Sequence, residues 1–421
     1  MNKDSLQAEL ELLRNEYKKA GERGLKLDMS RGVQGEDQLA ITEDMLRILD
    51  INDNFMAENG IDCRNYGLLD GIPEVKSLFG QMLGVPAENI IVCGNSSLNI
   101  MYDTVARSML HGVAGVGTPW FGQKIKFLCP VPGYDRHFAI CQSFGIEMIT
   151  VPMTENGPDM VEVESLVSSD ESVKGIWCVP KYSNPDGTVY SDEVIKRFAA
   201  LKPAAKDFRI FWDNAYVVHA LYGDPAEQIS IFDELKKNGK EDMLYIFAST
   251  SKISFPGSGV AVLAASDSNV EFIKNIMKVQ TIGHDKLNQL RHARYFGSYD
   301  GILKHMEKHA ALIRPKFECV LNTLDRELGG KGIAKWNKPQ GGYFVSLNLL
   351  SGCAKRTYEL ISQIGVKITP AGATYPYGND PEDSNLRIAP TYPPISELSE
   401  AINLLCLCAK IACIEKILAS K

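Results

Sequence analysis

Apolar and polar positions fall into blocks along most of this 421-residue chain. Residues 5–22 carry leucines at helical spacing among charges, which predicts an N-terminal amphipathic helix. A polar loop, LDMSRGVQGEDQL, follows. From about 70 to 265, short β-rich runs alternate with helix-length stretches; the runs are 89–93, 125–129, 147–151, 175–179, 209–212, 244–248 and 260–264. Strands separated by helix-length segments predict βαβ crossovers and a mainly parallel sheet. Near-continuous apolar runs such as GIWCVP fit strands buried on both faces. A long amphipathic stretch spans roughly 268 to 325. After Pro339 the pattern changes, and GGYFVSLNLL, VKITPA and NLRIAP read as strands of a smaller α+β unit. The expected division is an N-terminal segment 1–50 packing with the smaller unit, a large α/β domain 51–309, and a small C-terminal domain 310–421.

Composition narrows the class. Lys and Arg number 45 against 52 Asp and Glu, a net charge of −7, and 45% of residues are hydrophobic. That apolar fraction excludes a disordered chain, and the mild negative balance argues against a nucleic-acid surface. No apolar stretch follows MNKDSLQAEL and no uncharged run reaches the ~20 residues that span a bilayer. A soluble, cytoplasmic protein is expected. Ten cysteines are present without a CxxC, so reduced core thiols are expected rather than a disulfide or zinc framework. His305 and His309 have zinc-site spacing, but the glutamate stands at position 307 rather than directly after the first histidine. A solvated helix face is expected there, with no metal.

Open parallel sheets bind ligands beyond the carboxyl ends of their strands. The run 89–93 leads into Gly94-Asn95-Ser96-Ser97 and then a helical stretch, a turn whose free N–H groups suit an anion such as a phosphate. The run 244–248 leads into Ser249-Thr250-Ser251-Lys252 and Phe255-Pro256-Gly257-Ser258-Gly259. A lysine there is either a surface-loop charge or, desolvated in a cleft, an amine that can lose its charge and form a Schiff base with an aldehyde. The run 209–212 ends in Asp213-Asn214-Ala215-Tyr216. An aspartate there can cap the next turn or pair with a buried cationic ring nitrogen, an attraction of about 4 kcal/mol at ~4 Å and an effective dielectric of ~20. The run 175–179 ends in Pro180-Lys181-Tyr182-Ser183-Asn184-Pro185-Asp186-Gly187.

Taken in order, LDMSRG, NYGLLDGIPE, GNSSLNIMYD, VPGYDRH, SNPDGTVY, WDNAY, STSKISFPGSGVA, TIGHDKLNQLRH, PQGGYF and SNLRIAPTYP resemble a fold-type-I pyridoxal-phosphate-dependent aminotransferase of class I/II. The resemblance covers nearly the whole chain and is nearest the type Ic aspartate aminotransferases, a branch related to the aminotransferase-like domains of MocR regulators. It implies a large cofactor-binding domain, an N-terminal segment that covers the substrate, and pyridoxal 5'-phosphate as cofactor. Lys252 resembles the lysine that holds the cofactor as a Schiff base and shuttles the substrate proton. Asp213 resembles the partner of the pyridine nitrogen; Tyr216 and Asn184, the pair bonding the phenolic oxygen; Tyr134, the aromatic stacked on the ring; His137, the histidine supporting the aspartate. Ser96, Ser97, Ser249 and Ser251 resemble the phosphate ligands, and Tyr66 a tyrosine reaching the phosphate of a neighbouring subunit, which implies a homodimer. Arg387 resembles the arginine that takes the substrate α-carboxylate through a bidentate fork.

One feature departs from many class I enzymes. Pro256-Gly257-Ser258-Gly259 lacks the arginine that pairs with the phosphate, and Arg291 and Arg294 are the candidates to replace it. A dicarboxylic substrate also needs a distal cation, for which Arg31, Lys286 and Arg291 are candidates. Arg31, ahead of Gly32 in the covering loop, is preferred. The resemblance implies ping-pong exchange between aspartate and 2-oxoglutarate. An aromatic or alanine aminotransferase, a PLP-dependent lyase and a cofactor-binding regulator are the alternatives; the roughly 25 residues before LDMSRG are too few for a regulator's helix-turn-helix.

Overall fold

The structure is a computed structural model in which residues 3–420 are described. Eight strands form the central sheet, in the order Ile90–Val92, Ala261–Ala265, Leu244–Ser249, Arg209–Asp213, Val173–Cys178, Lys126–Val131, Glu147–Thr154 and Gly157–Pro158. The middle five, from Leu244–Ser249 to Glu147–Thr154, are parallel to one another. All seven predicted runs lie in this sheet; Gly157–Pro158 is too short to leave a periodic signal. Consecutive residues of one strand feed opposite cores: Ile210 and Trp212 pack on one face, and Phe211 joins Phe127, Trp177 and Phe247 on the other. Burial on both faces is why these strands read as unbroken apolar runs.

A third core gathers Leu6, Leu10 and Leu13 of the N-terminal helix Lys3–Gly21, Phe317 and Leu324, and Leu398 to Cys413 of the C-terminal helix. It rests on a three-stranded antiparallel sheet, Ala334–Trp336, Val345–Leu349 and Asn385–Ile388. Leu27–Asp28 pairs in parallel with Val366–Lys367, which fixes the start of the LDMSRG segment. The C-terminal helix Ile395–Ala419 is apolar on nearly every side because it is wrapped on nearly every side. Among the described residues no helix is long and apolar enough to cross a membrane. All ten cysteines are free.

Two expectations change. The amphipathic stretch is three helices, Asp267–Gln280, Lys286–Phe296 and Tyr299–Leu328. Gly283 separates the first two where it packs on the backbone of Gly67 and Leu68. Gly297, at φ 67°, stops the second, and the Ser298 hydroxyl caps the third by accepting the Gly301 N–H. His305 and His309 do not face solvent: they are 4% and 0% exposed. Their helix face turns inward, where the Ile253 carbonyl, Gln38, Thr42 and Tyr295 satisfy their ring nitrogens.

Candidate active site

The loops leaving the parallel strands converge at Asp213, the last residue of Arg209–Asp213. The Asp213 carboxylate is buried. Its Oδ2 lies 3.0 Å from His137 Nε2, and its Oδ1 has no partner. His137 is locked in turn, stacked on Trp177 with centroids 4.4 Å apart and planes 8° from parallel. Tyr134 stands edge-on to His137 at 5.0 Å, its phenol pKa raised by burial and then by Asp213 and Asp135.

Lys252 follows the neighbouring strand Leu244–Ser249, and its Nζ sits over the Tyr216 ring, 4.7 Å from the centroid. No described residue pairs with that amine. Burial lowers its pKa, against the pull of Asp213, so the lysine gives up its proton more readily than one in water. The Lys252 carbonyl is met by His219 Nε2 at 3.2 Å and by the Tyr343 hydroxyl at 3.4 Å. Burial and the charge on Lys252 push His219 down to about 3, so this ring is neutral and donates. Burial also drives the Tyr216 phenol well above its usual range.

Beside this floor two loops are tied together. The Ser249 hydroxyl donates to Ser251 Oγ at 3.0 Å, Ser251 Oγ donates to the Asn95 carbonyl at 3.0 Å, and Asn95 Nδ2 donates to the Gly257 carbonyl at 3.1 Å. Ser96 is the N-cap of helix Ser97–His111, yet its hydroxyl makes no cap bond, which leaves the first-turn N–H groups open. Ser96, Ser97, Ser249 and Ser251 thus stand on two loops joined at the open end of this helix, an arrangement able to take an anion. Of the two arginines considered for its missing cation, Arg294 donates to the Asn54 carbonyl at the surface. Arg291 bonds Asn288, whose amide holds the Ser258 and Gly259 carbonyls, and its Nε is buried and unpaired. Lys286, a candidate distal cation, is buried close enough to Cys63 to act on its thiol.

The opposite wall comes from the smaller sheet and the N-terminal segment. Arg387 is 8% exposed on strand Asn385–Ile388. Its Nη1 donates to Asp135 Oδ1 at 2.7 Å and Asn184 Oδ1 at 3.3 Å, and its Nε to Thr369 Oγ1 at 3.3 Å. Its guanidinium carbon lies 4.9 Å from the Phe344 ring centroid. These contacts aim the fork and leave Nη2 uncommitted. Gly32 also lies against the Phe344 ring, where an added Cβ would come within 2.2 Å of Cζ, so only glycine fits with the ring in this position. Gln38, farther along, donates to Tyr343 and contacts His309 Nδ1 at 3.2 Å. Arg31 is exposed and pairs with no described residue; Tyr66 is 80% exposed.

The floor and Arg387 therefore meet through Asn184, while Arg31 and Tyr66 are exposed on this subunit. Sequence reasoning missed Trp177, His219, Tyr343, Phe344 and Asp135. Tyr343, Phe344 and Asp135 lie inside the PQGGYF and VPGYDRH motifs, which was their only signal.

A mainly parallel sheet that presents a lysine, an aspartate and serine turns at its strand ends, faced by an arginine from a second sheet, is the arrangement of the fold-type-I pyridoxal-phosphate-dependent transferases. Over residues 1–421 the chain matches the family model described as aspartate amino-transferase, and it belongs to that family and is a transaminase. It is 43% identical to an aspartate aminotransferase of Corynebacterium glutamicum, over 96% of this chain and 93% of that one. A crystal structure of an aspartate transaminase from the same organism superposes with a TM-score of 0.96, at 41% identity, covering 99% of this chain and 98% of that one. LysN, an α-aminoadipate aminotransferase of Thermus thermophilus complexed with N-(5'-phosphopyridoxyl)-L-leucine, shares the fold at a TM-score of 0.74 and 19% identity, with 96% of each chain covered.

Proposed function

We propose that this chain moves the amino group of L-aspartate to 2-oxoglutarate, with pyridoxal 5'-phosphate at Lys252 and as a homodimer. The observation that carries the reading is the half-satisfied Asp213. A buried carboxylate with one oxygen on His137 and the other unpartnered calls for a cationic donor, and a ring N–H⁺ supplies one. The donor set fits the cofactor elsewhere too. The Ser96/Ser97/Ser249/Ser251 cradle suits its phosphate with Arg291 beside it, Tyr134 suits its ring face, and Asn184 and Tyr216 suit its phenolic oxygen.

When bound, pyridoxal phosphate supplies a ring that withdraws the electron pair left as the substrate Cα–H bond breaks. Everything else falls to the chain. Arg387 takes the α-carboxylate through Nη2, held in line by Asp135, Asn184 and Thr369. That fixes Cα near Lys252, whose amine is placed to take the Cα proton. Tyr216 packs the amine from beneath, and the neutral His219 and Tyr343 hold its peptide still. His137 keeps Asp213 from rotating. An oxo acid leaves before the second substrate arrives, so kinetics are ping-pong.

The aspartate reading is supported by the name of the Corynebacterium glutamicum relative. The dimer is supported by Tyr66 standing clear of its own subunit, next to the exposed Ile282 loop that packs on Gly67. Leu110 and Val279, both exposed, line an apolar groove of about 450 Å³ nearby. The test is a rapid-mixing absorbance scan of the holoenzyme against a panel of amino acids. Aspartate and glutamate should discharge the coenzyme band fastest. A decisive win for alanine or phenylalanine overturns the assignment.

A further inference from the structure

The roof of the site contains a side chain that nothing above employs. Gln34 is 4% exposed, and neither its Nε2 nor its Oε1 has a hydrogen-bond partner. Gln38, four residues on in the same segment, has both His309 and Tyr343 for its amide nitrogen. Two buried amides in one short segment thus differ: Gln38 is held by hydrogen bonds, while Gln34 lies against the Tyr343 hydroxyl without meeting hydrogen-bond geometry. Buried amides without partners are rare in folded proteins and call for a ligand or another specific reason.

The position of Gln34 supplies the reason. Gly32 lies on the Phe344 ring that stacks on Arg387, and the Val33 carbonyl accepts the Thr391 hydroxyl at 2.8 Å. The next residue, Gln34, sets its amide beside the Tyr343 hydroxyl. That hydroxyl reaches the Lys252 carbonyl only over a long 3.4 Å. The segment Gly32–Gln34 therefore spans the site from the α-carboxylate fork to the lysine. A substrate held by Arg387 with Cα at Lys252 sends its side chain toward this roof. A hydrocarbon side chain would leave the Gln34 amide as unpaired as before. A carboxylate accepts from Nε2–H, and the Tyr343 O–H is free to turn to Oε1. Arg31, the cation expected to read the distal group, stays on the exposed side of the segment.

We infer that Gln34 determines specificity: its carboxamide, not a cation, receives the distal carboxylate of the dicarboxylic substrate. The inference rests on the dicarboxylate reading of the site given above. A neutral amide discriminates less steeply than a guanidinium, because it also accepts a side-chain carboxamide or hydroxyl. The enzyme should therefore prefer aspartate yet tolerate asparagine-like substrates.

The test compares wild-type holoenzyme with Gln34→Met, which keeps the volume, and Gln34→Glu, which opposes a carboxylate. One readout is kcat/KM for aspartate and for alanine. The other is the rise in melting temperature caused by succinate and by butyrate, which needs no turnover. In Gln34→Met, kcat/KM for aspartate should fall about 10–100-fold, with alanine held within about threefold. The succinate stabilisation should shrink to that of butyrate, and Gln34→Glu should lose more on both measures. If Gln34→Met keeps the wild-type aspartate-to-alanine ratio, or loses equally on both substrates, Gln34 is not the reader although the wild-type preference stands. If wild type itself shows no preference for aspartate, the dicarboxylate reading fails first and this inference with it.

Discussion

The floor of the site and its roof are built by different rules. The floor is local: Asp213, Lys252, Asn184 and the serine turns each follow a strand of one sheet, so the backbone order sets their geometry. The roof is assembled from distant parts of the chain. Gly32 and Gln38 come from the N-terminal segment, Tyr343 and Phe344 precede strand Val345–Leu349, Arg387 lies on Asn385–Ile388, and His305 and His309 come from the long helix. On the proposed reading the difference is a division of labour: the groups assigned to proton movement stand on one sheet, and the groups assigned to substrate choice are gathered from segments far apart in the chain.

The strongest way to break that division is at the floor. Lys252→Ala should lower kcat by at least about 10⁴-fold, because it removes both the covalent anchor and the proton carrier. Its coenzyme should wash out on dialysis without borohydride fixation, which absorbance and mass measurement check. Multiple turnovers by this variant would mean the chemistry is not on the sheet.

Arg387→Lys probes the roof. A point charge cannot keep Asp135, Asn184 and Thr369 while presenting a second N–H to a carboxylate. The two to three charged bonds at stake predict a loss of about 10²–10³-fold in kcat/KM. The loss should fall on KM for amino and oxo acids alike, with the coenzyme spectrum unchanged. A loss confined to kcat would blur the distinction between floor and roof.

How much of this was legible follows from the same contrast. The seven strand runs and the residues after them could be read because each is a short-range signal: an apolar run, then a polar or glycine-rich turn. The resemblance added roles to positions already marked. His219 and Gln34 left no such mark, since a buried polar side chain looks like any loop residue until a partner from another segment arrives, and Tyr343 was marked only by its place in PQGGYF. His305 and His309 show the error running the other way. Their charged neighbours, Lys304, Glu307 and Lys308, suggested a wet helix face, but a four-residue spacing places both histidines on the one stripe that turns inward.

The smallest effect concerns three buried histidines, His309 among them. Burial pushes His219 and His309 down to about 3 and His292 to about 4, from an ordinary 6.5. The unfolded chain then binds protons that the folded chain refuses. Stability is fully present above about pH 6.5 and falls as pH drops from 6.5 toward about 3–4. Each such group contributes a slope of about 1.4 kcal/mol per pH unit across that window. His309→Gln should flatten the acid limb by about one such slope, measured by denaturant melts between about pH 4.5 and 6.5. An unchanged slope would mean His309 is protonated in the folded state.

Gly32 and Phe344 are 312 positions apart in sequence yet share one van der Waals boundary. Neither can drift alone: any larger residue at 32 evicts the aromatic ring, and a ring that moves abandons Arg387. Replacing Phe344 by a smaller side chain should therefore make alanine tolerable at 32, a compensatory pair through which a designer can reshape the amino-acid pocket one methyl at a time.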